Sequence, residues 1–471
     1  MILDWFQLAT PLADDLDGEW IEIAGWIAPF EFEARHSYFL LVPDMACCIG
    51  CRPSPAECVE VMAAAPLPPQ SGRVRLAGRW HSLKHDPAGW RFQLRDAVLL
   101  GPAKPVLGIT EVSRRAFVAM GAALPIGLPG LMHAPLAWRN AAAIGEDDAR
   151  ASLARMATVD IHSHAGRILR FADAASFTDV AGDMRAGGMA AICLAMVADT
   201  PATKVLPNRR IQAFRDPEPG ELYRWSQRAF ARIARLIEVE KFQTVTRASE
   251  LEAARATSPA IVVSAEGADF LDTSIERLEG AHRRYSLRHL QLTHYRVNDL
   301  GDIQTEAPVH GGLTDFGAEV IRACNQLGIV VDIAHGTYDL VKRAASVTTK
   351  PLVLSHTSLT SRPAPRSRQI APDHAKLVAG TGGVIGIWPV SEIFKDMAGY
   401  ATGFARMADA IGVDHVGLGS DMRGLTGPSL FDDYASLPRL AAALSAYFNA
   451  GEIAKLLGGN YRRVFAQSVG N

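Results

Sequence analysis

The chain has 471 residues, long enough for about three domains at roughly 150 residues each. Its 48% hydrophobic and 21% charged residues supply a sizeable core and exclude a disordered or collagen-like chain. Lys+Arg 48 against Asp+Glu 50 gives a net charge of −2, too little positive field to make nucleic acid a natural partner. Six cysteines are too few for a disulfide scaffold, yet Cys47, Cys48, Cys51 and Cys58 share one short stretch.

The first hundred residues alternate as strands do. The runs 20–27, 38–42, 73–80 and 90–94 are β-favouring and are bounded by Pro, Gly and Asp, which predicts a small antiparallel β domain over 1–104, with an OB-like barrel as one closure. Within it the cysteines fit several roles: a second metal or redox site built on Cys48-x-x-Cys51 with Cys47 and Cys58, a disulfide, or buried thiols. The segment Phe39-Leu40-Leu41-Val42-Pro43, followed by these cysteines and Pro53-Ser54-Pro55, resembles a β domain of uncharacterised exported bacterial proteins.

A connector, 105–150, follows. Ser113-Arg114-Arg115-Ala116-Phe117 opens an uncharged run from Ala116 to Trp138, long enough for the roughly 20 residues a membrane span needs, although Pro125 and Pro129 interrupt a helix. The pattern resembles a twin-arginine export signal. A working signal implies the periplasm or a membrane-associated protein held through 116–138; otherwise the run is a buried linker and the chain is cytoplasmic.

From 151 to 471 strand-like and helix-like segments alternate, the signature of βα units. Strands are predicted over Thr158–His164, Met189–Val197, Ala260–Gly267, Arg288–Tyr295, Gly328–His335, Pro351–His356, Gly382–Pro389 and His415–Asp421. Between two of them Phe316, Val320, Ala323 and Leu327 repeat at helical spacing, with Thr314 as N-cap and Gly328 as stop. Eight such units close naturally into a (β/α)8 barrel.

The predicted strand ends carry His162 and His164, Glu266, His294, His335, His356 and Asp421. A (β/α)8 barrel gathers those ends at one mouth, the face that bears the active site. Residues 162 and 164 share one side of an extended strand and can grip one ion. Imidazoles and carboxylates without a thiolate suit zinc better than manganese, cobalt or iron.

Over about 157–465 the sequence resembles the membrane (renal-type) dipeptidases, dinuclear zinc peptidases on a (β/α)8 barrel. The resemblance rests on Val159-Asp160-Ile161-His162, Ser264-Ala265-Glu266-Gly267, Leu290-Gln291-Leu292-Thr293-His294, Gly312-Leu313-Thr314-Asp315-Phe316-Gly317, Val331-Asp332-Ile333-Ala334-His335, Leu354-Ser355-His356-Thr357-Ser358, Gly417-Leu418-Gly419-Ser420-Asp421 and Leu457-Gly458-Gly459-Asn460-Tyr461. It implies two Zn2+, one on His162 and His164, the other on His335 and His356, with Glu266 bridging. It implies His294 at the oxyanion, Asp421 as proton shuttle, and Arg368 with Asn298 on a dipeptide that keeps a free terminal carboxylate. The reaction implied is amide hydrolysis by a hydroxide shared between the metals.

The family usually has Asp where this chain has His164, so one metal is expected to bind weakly or to be replaced. The alternatives are another amidohydrolase-type hydrolase, acting on a lactone, an ester or an N-acyl amino acid, and a binding barrel without catalysis. A homodimer is the partner state left open. Dipeptide preference is expected to reside between Thr200 and Ser258 and in the mouth loops.

Overall fold

The computed structural model describes residues 2–3, 5, 8, 11–29, 36–43, 58–68, 73–83, 91–102, 144–169 and 177–471. The chain divides into two compact units, Met1–Leu131 and Met132–Asn471. Cys47, Cys48 and Cys51 and the whole twin-arginine-like segment 113–138 lie outside the described residues, and so does nearly all of the predicted connector.

The first unit is a closed five-stranded barrel of β1 (Trp20–Pro29), β2 (His36–Val42), β3 (Val59–Leu67), β4 (Val74–Ser82) and β5 (Phe92–Pro102). Its order is β1-β2-β3-β5-β4 and back to β1. Four of these pairings are antiparallel, and β3 runs parallel to β5. The predicted antiparallel domain is therefore mixed, because closure in this order brings the third strand beside a fifth that runs the same way. That is the strand order of a Greek-key OB barrel.

Alternate residues face inward, so Ile21, Ile23, Phe39, Leu41, Val59, Val61, Leu76, Trp80, Phe92 and Leu94 make one core. Trp80 stacks on Phe92 with centroids 5.0 Å apart and donates its indole N–H to the Ala13 carbonyl at 2.7 Å. Cys58 is buried with Leu40 and Val42 in a second, smaller cluster.

The second unit carries eight parallel strands: β6 (Val159–Ser163), β7 (Ala191–Val197), β8 (Ala260–Glu266), β9 (Leu287–Gln291), β10 (Val330–Asp332), β11 (Val353–Thr357), β12 (Val384–Ile387) and β13 (Val416–Leu418). Each pairs with the next in chain order. A parallel bridge between Ser163 and Met422 closes the ring, with the Asp421 N–H on the His162 carbonyl at 3.0 Å and the His164 N–H on the Met422 carbonyl at 2.8 Å. All residues of β7 and β8 are buried, as a sheet covered on both faces requires.

Helices follow the strands at the predicted places. Asp315–Leu327 begins at Thr314, whose hydroxyl accepts the Gly317 N–H at 3.0 Å, and ends at Gly328 with φ +72°. The C-terminal helix Asn460–Val469 packs Tyr461, Val464 and Phe465 against Val159, Ile161, Val330, Val353 and Val384, sealing that side of the barrel.

The observed strands end one to four residues before the predicted ends at several positions that matter most. His335 (φ +68°) and Asp421 (φ +48°) adopt left-handed backbone three residues beyond the ends of their strands, where their side chains reach the mouth. Close strand approach is needed beneath them: a Cβ on Gly386 would lie 1.8 Å from the Ser355 carbonyl oxygen and 2.7 Å from Ile161 Cδ1. Gly386→Ala is expected to lose about 1–3 kcal/mol through overpacking, read by urea denaturation of the purified protein. An unchanged midpoint would show that the strands are not so closely held.

Candidate metal centre

Seven side chains from six strands meet at the C-terminal mouth. Glu266, at the end of β8, is their centre. Its Oε1 lies 3.4 Å from His162 Nε2, 3.3 Å from His335 Nε2 and 3.6 Å from His356 Nε2. Its Oε2 lies 3.1 Å from His164 Nε2 and 3.5 Å from His294 Nε2. The two nitrogens of His162 and His164 are 3.2 Å apart, and those of His335 and His356 are 3.0 Å apart. Asp421 Oδ1 stands 3.4 Å from His164 Nε2 and 4.0 Å from His162 Nε2.

The far ring nitrogens show which way the lone pairs face. His164 Nδ1 is 2.7 Å from the Ala195 carbonyl, which can only accept, so Nδ1 carries a proton and Nε2 is the nitrogen turned to the cluster. Ser355 Oγ sits 2.9 Å from His356 Nδ1 and 3.3 Å from His162 Nδ1, serving both rings from one hydroxyl. Below, Asp160 accepts from the Ser420 N–H at 2.9 Å and the Tyr434 hydroxyl at 2.9 Å, and Asp332 accepts from the Ser355 N–H at 3.0 Å. These outer bonds hold strand ends β6, β10, β11 and β13 in fixed relation.

The electrostatics are those of a place that calls for positive charge. Burial opposes charge on His164, yet hydrogen bonds and attraction from Asp421 and Glu266 raise its pKa to about 10. Burial likewise disfavours a charged Glu266, but the surrounding His294 and His162 hold its carboxyl well below the usual range. His335 and His356 go the other way: burial first, then Arg368 for His335 and His162 and Arg368 for His356, push both well below the ordinary histidine value. Neutral imidazoles beside an ionised carboxylate are the donor set for a divalent cation. His162, His164 and Asp421 form one group of convergent donors; Glu266 forms others with His162 and His356 and with His294 and His335.

His294 is held from behind. Asp199, just beyond the end of β7, accepts from His294 Nδ1 at 2.7 Å and from the Tyr295 N–H at 3.0 Å. Burial opposes the charged ring, but Asp199 and Glu266 outweigh it and raise the pKa of His294 to about 9. Sequence reasoning missed Asp199, although it follows its strand end as His294 follows its own.

A cavity of about 420 Å³ opens over the cluster, floored by His164, Glu266, His294, His335 and Asp421. Its walls include Leu169, Val197, Val205, Ile211, Trp388, Val390 and Leu425. Two strands of a small hairpin, Thr203–Val205 and Ile211–Ala213, supply part of the wall. The hairpin is tied across the mouth by Arg209 to Glu392 at 2.5 Å and by the Thr426 hydroxyl to the Arg209 carbonyl at 2.9 Å.

Arg368 is 8% exposed, lies over the Trp388 ring at 5.4 Å, and donates to Gln304 Oε1 at 2.5 Å; its Nε has no partner among the described residues. Arg362 and Arg366, its neighbours in sequence, are exposed. Asn298 is placed elsewhere. Its amide donates to Asp269 Oδ2 at 3.1 Å and to the Leu292 carbonyl at 3.0 Å, its oxygen accepts the Leu300 N–H at 3.0 Å, and it does not line the cavity.

A (β/α)8 barrel with a buried histidine and carboxylate cluster at its C-terminal mouth belongs to the class of barrels that carry metal sites there. The model of the membrane dipeptidase family (peptidase family M19) matches residues 173–470, and the chain belongs to that family. A domain family described as a protein of unknown function (DUF3299) matches residues 3–72. Among relatives, Dipeptidase aclJ of Aspergillus oryzae is 29% identical over 193 residues, 39% of this chain and 46% of that protein. Dipeptidase 3 of Mus musculus is 28% identical over 221 residues, 44% of each. The chain thus spans about half the length of the curated relatives it matches.

Solved structures agree in fold. A dipeptidase of the M19 family superposes with a TM-score of 0.55 at 20% identity, over 67% of this chain and all of that one. A metallopeptidase from Rhodobacter sphaeroides, bound to a phosphinate mimic of L-Ala-D-Ala, superposes with a TM-score of 0.54 at 20% identity, over 66% of this chain and 99% of that one. Among the described residues no helix is long and apolar enough to cross a membrane.

Asp199→Ala removes the acceptor of two buried N–H groups, on His294 and on Tyr295. The fold is expected to lose about 1–3 kcal/mol for the groups left unpaired. The His294 pKa is expected to fall from about 9, since one of the two anions that raise it is gone. NMR titration of the imidazole reads the shift, and a value still near 9 would assign the effect to Glu266 instead.

Proposed function

We propose that the protein is a metal-dependent dipeptidase that cleaves the amide bond of small dipeptides bearing a free terminal carboxylate. The observation that carries this reading is the single carboxylate of Glu266 placed between two pairs of imidazoles, His162 with His164 and His335 with His356. Each pair with Glu266 would hold one divalent cation, zinc being the metal that imidazole and carboxylate donors favour. Bound in this way, two cations supply an activated water and polarise the scissile carbonyl.

The chain's own residues do the rest. His294, steadied by Asp199, is placed to donate from Nε2 to an oxygen that gains negative charge beside Glu266. Asp421, opposite it on the mouth, is placed to carry a proton from the attacking water to the leaving amine. The Arg368 guanidinium does not itself line the cavity; it lies buried over Trp388, which does, with Nε unpartnered among the described residues, and it would supply the charge that holds the terminal carboxylate. Asn298 has no such role on this reading, because both ends of its amide are used to brace the loop between Leu292 and Leu300.

The walls favour apolar substrate side chains. Leu169, Val205, Ile211, Val390 and Leu425 surround the space above the floor, and Glu392 on the rim is already neutralised by Arg209. In a panel of dipeptides assayed with added zinc, those with medium apolar side chains are expected to give the highest kcat/KM, with basic ones, which Lys204 on the cavity wall would repel, at least about tenfold lower. Dialysis against a chelator should abolish turnover and re-addition of the metal should restore it. No turnover of any member by protein that holds metal would sink the enzymatic reading. Faster hydrolysis of an amide without a free carboxylate would move it to N-acyl substrates.

A further inference from the structure

We propose that Asp421 is itself a ligand of the first cation, through Oδ1, and completes a site that His162 and His164 cannot neutralise alone. The inference rests on the dinuclear reading given above and goes further, since that reading asks of Asp421 only that it move a proton.

Charge comes first. His162 and His164 are neutral donors when they bind a cation and bring no negative charge, and Glu266 is shared with the His335 and His356 pair. A divalent ion buried among side chains that are about 1–3% exposed needs more compensation than half of one carboxylate. Among the described residues the one further carboxylate grouped with His162 and His164 is that of Asp421.

Geometry agrees. Asp421 Oδ1 is the oxygen that faces both rings, 3.4 Å from His164 Nε2 and 4.0 Å from His162 Nε2. Three facing donors at such spacings enclose one point from different strands, β6 and the end of β13. The backbone holds Asp421 there at some cost. Its φ is +48°, its N–H is bonded to the His162 carbonyl at 3.0 Å, and its own carbonyl accepts the Gly424 N–H at 2.9 Å.

Gly424 is the second sign that this space is kept for the carboxylate. A Cβ at that position would fall 2.0 Å from Asp421 Oδ1 and 2.6 Å from His164 Cδ2. Any larger residue would push the two donors off their common point. One oxygen of Asp421 can thus bind while the other stays available for a proton, so ligation and proton transfer are compatible in one carboxyl group.

The test is metal stoichiometry and affinity, measured by elemental analysis after gel filtration and by competition with a chromophoric zinc chelator. Wild type is expected to hold two zinc equivalents. Asp421→Asn, close to isosteric, is expected to keep one equivalent and to lose affinity for the other by more than about 100-fold. That exceeds the roughly 10–100-fold that loss of a merely supporting partner costs.

The double variant His164→Asp with Asp421→Asn returns a carboxylate to the same pair and should regain the second equivalent, an outcome that a purely structural role for Asp421 does not produce. The equivalent retained by Asp421→Asn, together with a thermal midpoint equal to wild type when both are metal-free, reports an intact fold. Two equivalents bound by Asp421→Asn at wild-type affinity would overturn the proposal and leave the dinuclear reading standing. A double variant with only one equivalent would overturn it as well. Wild type that binds fewer than two even with zinc in excess would overturn both.

Discussion

One ionised carboxylate sits within 3.6 Å of ring nitrogens from five histidines, and the rest of the barrel's upper half is organised around that fact. Glu266 is about 3% exposed, so water does little to stabilise its charge. An unpaired buried carboxylate would protonate, and five neutral imidazoles alone would leave lone pairs pointing at lone pairs. The cluster is coherent as a receptor for cations, and the same demand for positive charge explains why His164 and His294 hold their protons so firmly when Asp421, Asp199 and Glu266 are their neighbours.

Keeping such a cluster together requires a frame that does not relax. Outer-layer acids supply it: Asp160 ties β6 to Ser420 and Tyr434, and Asp332 ties β10 to Ser355 on β11. Ser355 in turn serves His162 and His356 from one hydroxyl. Burial pushes the Asp160 pKa up to about 6, with its hydrogen bonds to Ser420 and Tyr434 opposing the shift, so this brace too is a charge retained at a cost. The glycines at 386 and 424 belong to the same economy of space, one letting strands approach and the other leaving room for donors.

Much of this was legible in the sequence, for identifiable reasons. The barrel strands are apolar runs such as Ile329-Val330-Val331, and a strand buried on both faces has no other way to be written. The strand-end histidines stood out because imidazole is costly to bury without a task. Asp199 did not, since an acid two residues past a strand reads as an ordinary turn until His294 is seen 2.7 Å away. Asn298 misled in the opposite sense: its place in a motif beside His294 suggested substrate, whereas its amide spans Asp269, Leu292 and Leu300 as a loop brace. The parallel β3–β5 pair in the first unit was hidden because alternation reports which face is buried and says nothing of the direction of a neighbour.

The predicted and observed strand ends differ where the chemistry is. Periodicity extended β10 to His335 and β13 to Asp421, but the regular strands stop at Asp332 and Leu418. A side chain in regular strand geometry points along the pleat, into the barrel or out toward the helices. To meet Glu266 from across the mouth, His335 and Asp421 must leave that geometry, and the left-handed φ of each is the means. Left-handed backbone in a histidine or an aspartate is tolerable in a way that it would not be for the β-branched residues that fill these strands. The residue types that can bind a cation are thus also among those that can make the turn, and the same two positions satisfy the backbone and the site.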